Sequence, residues 1–121
     1  MTRAVFQLRN PESGTLAGTP AEVTVIGEVD VTNVEEFTRC VLAVPGGRPI
    51  ILELSGLKYL DSAGFAAVDR LLARDAIVVV LSPESLVYKA AELMCLPFHH
   101  DVEAARRALQ EPRGLKPDLW P

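Results

Sequence analysis

Residues 50–72 read I-I-L-E-L-S-G-L-K-Y-L-D-S-A-G-F-A-A-V-D-R-L-L. The run Ile50-Ile51-Leu52-Glu53-Leu54 is nearly all apolar, which predicts a strand covered on both faces. Ser55-Gly56 break it. Asp61 is placed to cap a helix that runs from about Ser62 to about Ala73. Phe65, Val68 and Leu72 share one helical face at i, i+3, i+7 spacing, so that face packs on the sheet. Ser62 falls in the first turn, to one side of that face, where solvent or a partner reaches it.

Working upstream, Val5-Phe6-Gln7-Leu8 predicts a short first strand, and residues 10–20 are a loop rich in Gly, Pro, Ser and Thr. Ala21 to Ile26 alternates and is rich in β-branched residues, a second strand. It runs into Gly27-Glu28-Val29-Asp30, where Gly27 permits unusual backbone geometry. Thr32 or Asn33 caps a helix over Val34 to Val44, striped by Val34, Phe37, Val41 and Val44. Glu35 and Glu36 favour its first turn through the helix dipole, and Pro45-Gly46-Gly47 stop it.

Downstream, Arg74-Asp75 form a tight turn into Ile77 to Leu81, a buried strand. Ser82-Pro83-Glu84-Ser85 start a helix over Glu84 to Met94. Pro97 to His100 hold a short edge strand, and Asp101 caps a last helix, Val102 to about Gln110. Residues 112–121 carry three prolines and the lone Trp120, the composition of an extended tail. Strands alternate with helices after an initial strand pair. The expectation is an α/β domain over residues 1–111, with a mixed, largely parallel sheet of about four to five strands and about four helices. In such sheets function gathers where strands end and helices begin. Two junctions qualify, Gly27 to Asn33 and Leu60 to Gly64. Asp30 and Asp61 share one sheet edge if their strands are neighbours.

The whole chain agrees with one core. Its 121 residues suit one domain, and 49% hydrophobic against 23% charged residues is the balance of a folded protein. A net charge of −4, with no basic cluster, argues against nucleic acid or an anionic membrane as partner. The longest apolar run, Ala76 to Leu81, is strand-sized, and the first residues lack the core of a signal peptide. A cytoplasmic protein is expected. Cys40 and Cys95 then read as two buried thiols in helices, with a redox disulfide between them as the alternative.

Catalytic chemistry finds little support. Nucleophilic catalysis by Ser62 needs a histidine base within hydrogen-bond reach. The only histidines, His99 and His100, lie in a late segment, and L-D-S-A-G is not the G-x-S-x-G elbow. Neither phosphate-binding glycine motif occurs. His99-His100-Asp101 supply metal-ligand types, but neighbours on a strand point to opposite faces, and the cysteines lack metal-finger spacing. No cofactor or metal is expected. Phosphorylation suits Ser62 better. A phosphoryl group adds close to two negative charges, which helix-start amides tolerate. Beside Asp61 and near Asp30 it would sharply raise the local negative charge and expel a partner facing that surface with a carboxylate or an apolar patch. The rival reading, a simple capped helix start, accounts for the same residues on physics alone.

The blocks V-T-V-I-G-E-V-D-V-T-N (Val23 to Asn33), I-I-L-E-L-S-G-L-K-Y-L-D-S-A-G (Ile50 to Gly64), I-V-V-V-L-S-P (Ile77 to Pro83) and A-E-L-M-C-L-P-F (Ala91 to Phe98) resemble the STAS domain of bacterial anti-sigma factor antagonists. The resemblance spans about Val5 to Leu109, and G-E-V-D with L-D-S-A-G is its specific part. It implies a non-enzymatic, partner-switching protein that binds an anti-sigma factor serine kinase and frees a sigma factor. It implies phosphorylation of Ser62 by that kinase, release of the partner, and reset by a phosphatase. Asp30 matches the family's aspartate beside that serine. The partner-binding face implied is Asp30, Val31, Asn33, Leu60, Asp61, Ala63 and Gly64 around Ser62, on a monomer with transient partners. The chain departs from the family at Ala63, where Ser or Thr is common. It also departs at the short Arg74-Asp75 turn, at Met94-Cys95-Leu96 in place of a small-residue turn, and in the tail with Trp120. A STAS scaffold that does not switch, within a larger signalling assembly, is the alternative, followed by a small nucleotide-binding domain.

Overall fold

The structure, a computed structural model, describes residues 4–9, 20–44, 49–74 and 76–110. The expectations for the 10–20 loop, for Pro45-Gly46-Gly47, for Asp75 and for the tail lie wholly or mainly outside those residues. Among them four strands, β1 (Phe6–Arg9), β2 (Ala21–Val29), β3 (Ile50–Leu60) and β4 (Ile77–Val80), form one sheet in the order β1-β2-β3-β4. β1 pairs antiparallel with β2, and the other pairs are parallel. Among the described residues four helices accompany them: α1 (Val34–Leu42), α2 (Ser62–Leu72), α3 (Tyr88–Leu93) and α4 (Val102–Gln110). The expected α/β architecture and mixed sheet are present.

The parallel strands bury both faces, as a sheet covered by crossover helices must. One face carries the main core. Val23, Val25 and Val29 of β2, Leu52 and Leu54 of β3 and Val79 of β4 meet Phe37 and Val41 of α1 and Phe65, Val68 and Leu71 of α2. The stripe on α2 is completed by Leu71, with Leu72 only half-buried. On the other face α4 lays Ala105 against Ile51 and Val80, with Val78, Val102 and Leu109 around them. Arg106 ties α4 to β2 through an ion pair with Glu22.

β3 does not end at Ser55-Gly56; it continues to Leu60. Eleven residues of β3 run beside nine of β2, and the register slips between Thr24 and Ile26 and again between Gly27 and Glu28. Each slip is a bulge that gives β3 one extra residue. Leu54, Leu57 and Leu60 are three apart, so a regular strand would turn Leu57 outward. The bulges let all three point into the core.

Several other boundaries differ from the sequence reading. The helix after Ser82 does not start at Glu84. The Ser82 hydroxyl accepts from the Glu84 amide and the Ser85 hydroxyl from the Val87 amide, so residues 82–87 are turns and α3 begins at Tyr88. Serine side chains that bind the nearby backbone in this way compete with helix formation. α1 stops at Leu42, before Val44. The expected edge strand at Pro97–His100 is a single bridge between Val80 and His99. The thiols are not both buried: Cys40 is half-buried, and Cys95 is exposed. Cys95 has φ 58° and follows the end of α3, where its amide donates to Glu92 O and the Leu96 amide to Ala91 O. That is a Schellman closure, with cysteine at the position glycine usually takes.

Candidate functional site

Because β2 and β3 are parallel neighbours, Val29 pairs with Leu60 and both strands end at the same edge. The two junctions therefore lie side by side, as expected for Asp30 and Asp61. Asp61 is the N-cap of α2, in extended conformation, and its Oδ1 accepts from the Gly64 amide at 2.8 Å. Its Oδ2 accepts from the Val31 amide at 3.1 Å, across to the other junction. The Asp61 amide also donates to Val29 O.

The 30–33 turn is held by its own side chains. Asp30 Oδ1 accepts from the Thr32 amide at 2.8 Å and from the Thr32 hydroxyl. The Thr32 hydroxyl, then its amide, holds the Asp30 carboxyl below the ordinary carboxylate range. Asn33 does not cap α1 with its side chain. It is buried, its Oδ1 accepts from the Asp30 amide, and its Nδ2 donates to Ala4 O and Glu28 O. These three hydrogen bonds tie the turn to the end of β2 and to the backbone just before β1. Gly27, one turn earlier, has φ 113°, and a Cβ there would run into Val5 O.

Ser62 is the first residue of α2 and is exposed. Its hydroxyl makes no hydrogen bond among the described residues. The Gly64 and Phe65 amides are taken by Asp61, whereas the Ser62 and Ala63 amides have no acceptor among the described residues. That is the open end of a helix, which suits an anion. Gly64 is buried under Leu60 and Val29, and a Cβ on it would collide with the Leu60 side chain. Of the residues named from the sequence, Asp30, Val31, Asp61, Ser62 and Ala63 reach the surface. Asn33, Leu60 and Gly64 are buried and shape that surface from beneath. Val31 has 70% of its surface exposed, an apolar side chain beside Asp30 and Asp61.

The sequence reading did not include a groove of about 180 Å³ beside Ser62, lined by Phe65, Ala66, Asp69, Met94 and Leu96. Its only hint in the sequence was the Met94-Cys95-Leu96 departure. No group of His, Cys, Asp and Glu suited to a metal occurs among the described residues. His100 is engaged by Tyr88, whose hydroxyl lies 3.2 Å from His100 Nε2, and His99 bridges to β4. Neither is hydrogen-bonded to Ser62. No helix among the described residues is long and apolar enough to cross a membrane.

A four-stranded mixed sheet with a capped, serine-led helix after its central parallel strand defines the class of domain. Residues 15–92 match the family model of the STAS domain, and the chain belongs to that family. Its fold is similar to the crystal structure of an anti-sigma factor antagonist from Mycobacterium paratuberculosis. The TM-score is 0.70 at 18% identity, covering 88% of this chain and 96% of that one. No curated protein matches the sequence.

Proposed function

We propose that this chain is a non-catalytic anti-sigma factor antagonist, which binds an anti-sigma factor serine kinase and is released from it when Ser62 is phosphorylated. The observation that carries this is the exposed Ser62 hydroxyl on the open first turn of α2, beside Asp61 and the Asp30–Val31 turn that Asp61 holds. Two acceptor-free amides and the helix dipole accommodate a phosphate, so modification need not unfold the domain. The same phosphate adds about two negative charges to a surface already bearing two carboxylates around an apolar Val31. A partner that buries Val31 and approaches these carboxylates would then face an uncompensated, partly desolvated dianion. A phosphatase resets the switch, and residues 1–111 form the acting domain in the cytoplasm. The protein acts as a monomer with transient partners.

The test is incubation of the pure protein with the anti-sigma kinases of its own organism and ATP, read by intact mass and peptide mapping. One phosphate on Ser62 from one kinase is expected. Stable binding to a kinase without any phosphate would instead identify a scaffold that does not switch. Neither binding nor phosphate would overturn the anti-sigma role.

A further inference from the structure

The two strand-end junctions are each closed from within, and one side chain spans them. In the 30–33 turn, Asp30 Oδ1 accepts from the Thr32 amide and Asn33 Oδ1 from the Asp30 amide. At the start of α2, Asp61 Oδ1 accepts from the Gly64 amide at 2.8 Å, in a part-buried setting. The Val31 amide has no such local acceptor. Its partner is Asp61 Oδ2, thirty residues further along the chain, at 3.1 Å and exposed to solvent. Among the described residues this is the single side-chain hydrogen bond between the two junctions. The two bonds of the Asp61 carboxylate are therefore unequal: the one to α2 is short and sheltered, the one to Val31 longer and open.

Ser62 follows Asp61 directly, and consecutive Cα atoms are about 3.8 Å apart. A phosphate on Ser62 thus places about two negative charges within reach of the Asp61 carboxylate. No paired cation shields that carboxylate, since the ion pairs among the described residues are those of Arg106 on α4. Like charges at such range repel, and the repulsion acts on the whole carboxylate. The weaker of its two bonds gives first. Oδ1 remains on the Gly64 amide, where the helix dipole also favours it, and Oδ2 is the oxygen that moves.

We infer that Asp61 is the positioning residue through which a phosphate on Ser62 acts on Val31: the dianion drives Asp61 Oδ2 off the Val31 amide while α2 stays capped. This rests on Ser62 as the phosphorylated residue proposed above. Partner release then has a structural part beside its electrostatic one, because the exposed Val31 loses the tether that fixes it beside the carboxylates. The fold is unaffected. Asp30, Thr32 and Asn33 still close the turn, and the Asp61 amide still donates to Val29 O.

The test uses the full chain carrying phosphoserine at position 62, introduced during translation so that no kinase takes part. Heteronuclear magnetic resonance compares it with the unmodified chain. The Val31 amide signal is expected to move, and its exchange with solvent to quicken about tenfold, the factor carried by one hydrogen bond of ordinary net strength. Exchange at the Gly64 amide is expected to stay slow. Asp61→Asn keeps an oxygen for the Gly64 amide and turns a donor toward Val31, so it removes the cross-junction bond without adding charge. In that variant Val31 is expected to exchange fast already, and phosphoserine to quicken it no further. An unmoved Val31 amide in the phosphorylated chain would overturn the inference. So would an equal response in Asp61→Asn, because the phosphate would then act on Val31 without Asp61. Failure of every kinase to modify Ser62 would count against the switch proposed above and leave these readings as they are. A phosphorylated chain that sheds its partner with Val31 unmoved would overturn this inference alone.

Discussion

The Asp61 carboxylate reaches from the start of α2 to the Val31 amide at 3.1 Å, so one side chain joins the two strand ends that form the site. Its other oxygen holds the Gly64 amide. The cap of α2 and the shape of the neighbouring turn are thus set by the same group.

Asp61→Ala removes both bonds and leaves the Gly64 amide without its acceptor. The cost expected is about 1–2 kcal/mol of stability, the usual range for a lost N-cap. Urea unfolding measures it. Asp61→Asn keeps one acceptor oxygen and is expected to lose less. Equal loss in both variants would mean that the charge, not the hydrogen bonds, stabilises the junction.

Ser62→Ala is expected to keep partner binding and lose regulation, because the side chain makes no hydrogen bond among the described residues and so leaves the fold intact. Ser62→Asp is expected to weaken binding, since it adds a carboxylate beside Asp61. Titration calorimetry against the cognate anti-sigma factor separates the two. Equal affinities would count against a charge-driven release.

Thr32→Val deletes the hydroxyl that does most to lower the Asp30 pKa. The Asp30 pKa is expected to rise toward the ordinary carboxylate value, followed by carboxyl nuclear magnetic resonance. The sign follows from which form is favoured. Thr32 stabilises the ionised carboxylate, so its effect is complete above the ordinary carboxylate pKa of about 3.9 and fades as pH falls through the lowered one. The variant should therefore differ from the parent near neutral pH and converge with it in acid.

Cys95→Gly is expected to stabilise the chain by about 1 kcal/mol. Cys95 closes α3 at φ 58°, a conformation that costs a side-chain-bearing residue about that much and costs glycine little. Gly27→Ala should do the reverse. It combines φ 113° with a collision against Val5 O, and a loss of about 1–3 kcal/mol is expected. Thermal melts of the two variants should move in opposite directions.

The sequence made the alternation of strands and helices legible, and with it the meeting of Asp30 and Asp61. Apolar runs such as Ile77–Leu81 and caps such as Asp61 and Asp101 are local signals, and local signals survive folding. The second half of β3 was not legible. Its inward leucines recur every third residue, which is not a strand period, and only pairing with β2 creates the bulges that make it one. Asn33 stands at the N-cap position of α1, as expected, but the work of its side chain was not legible for a related reason. Its position suits a cap, but Ala4 O, Glu28 O and the Asp30 amide compete for its amide group, and two of these come from other strands or turns. The groove beside Ser62 joins α2 to residues some thirty positions later, a proximity that no spacing rule encodes.

The bulged strand also sets what lengths of chain the site tolerates. Polar substitutions at Lys58, an extra residue, alter little beyond the bulge itself, since Leu54, Leu57 and Leu60 carry the packing, whereas the Ser55 hydroxyl also accepts from the Ser82 amide at 2.8 Å. Removing one residue between Leu54 and Leu57 is different. It would erase a bulge, turn Leu57 toward solvent and shift Asp61 relative to Val31. Single-codon deletions there should therefore be lost from any library selected for folding, while missense changes at Lys58 persist.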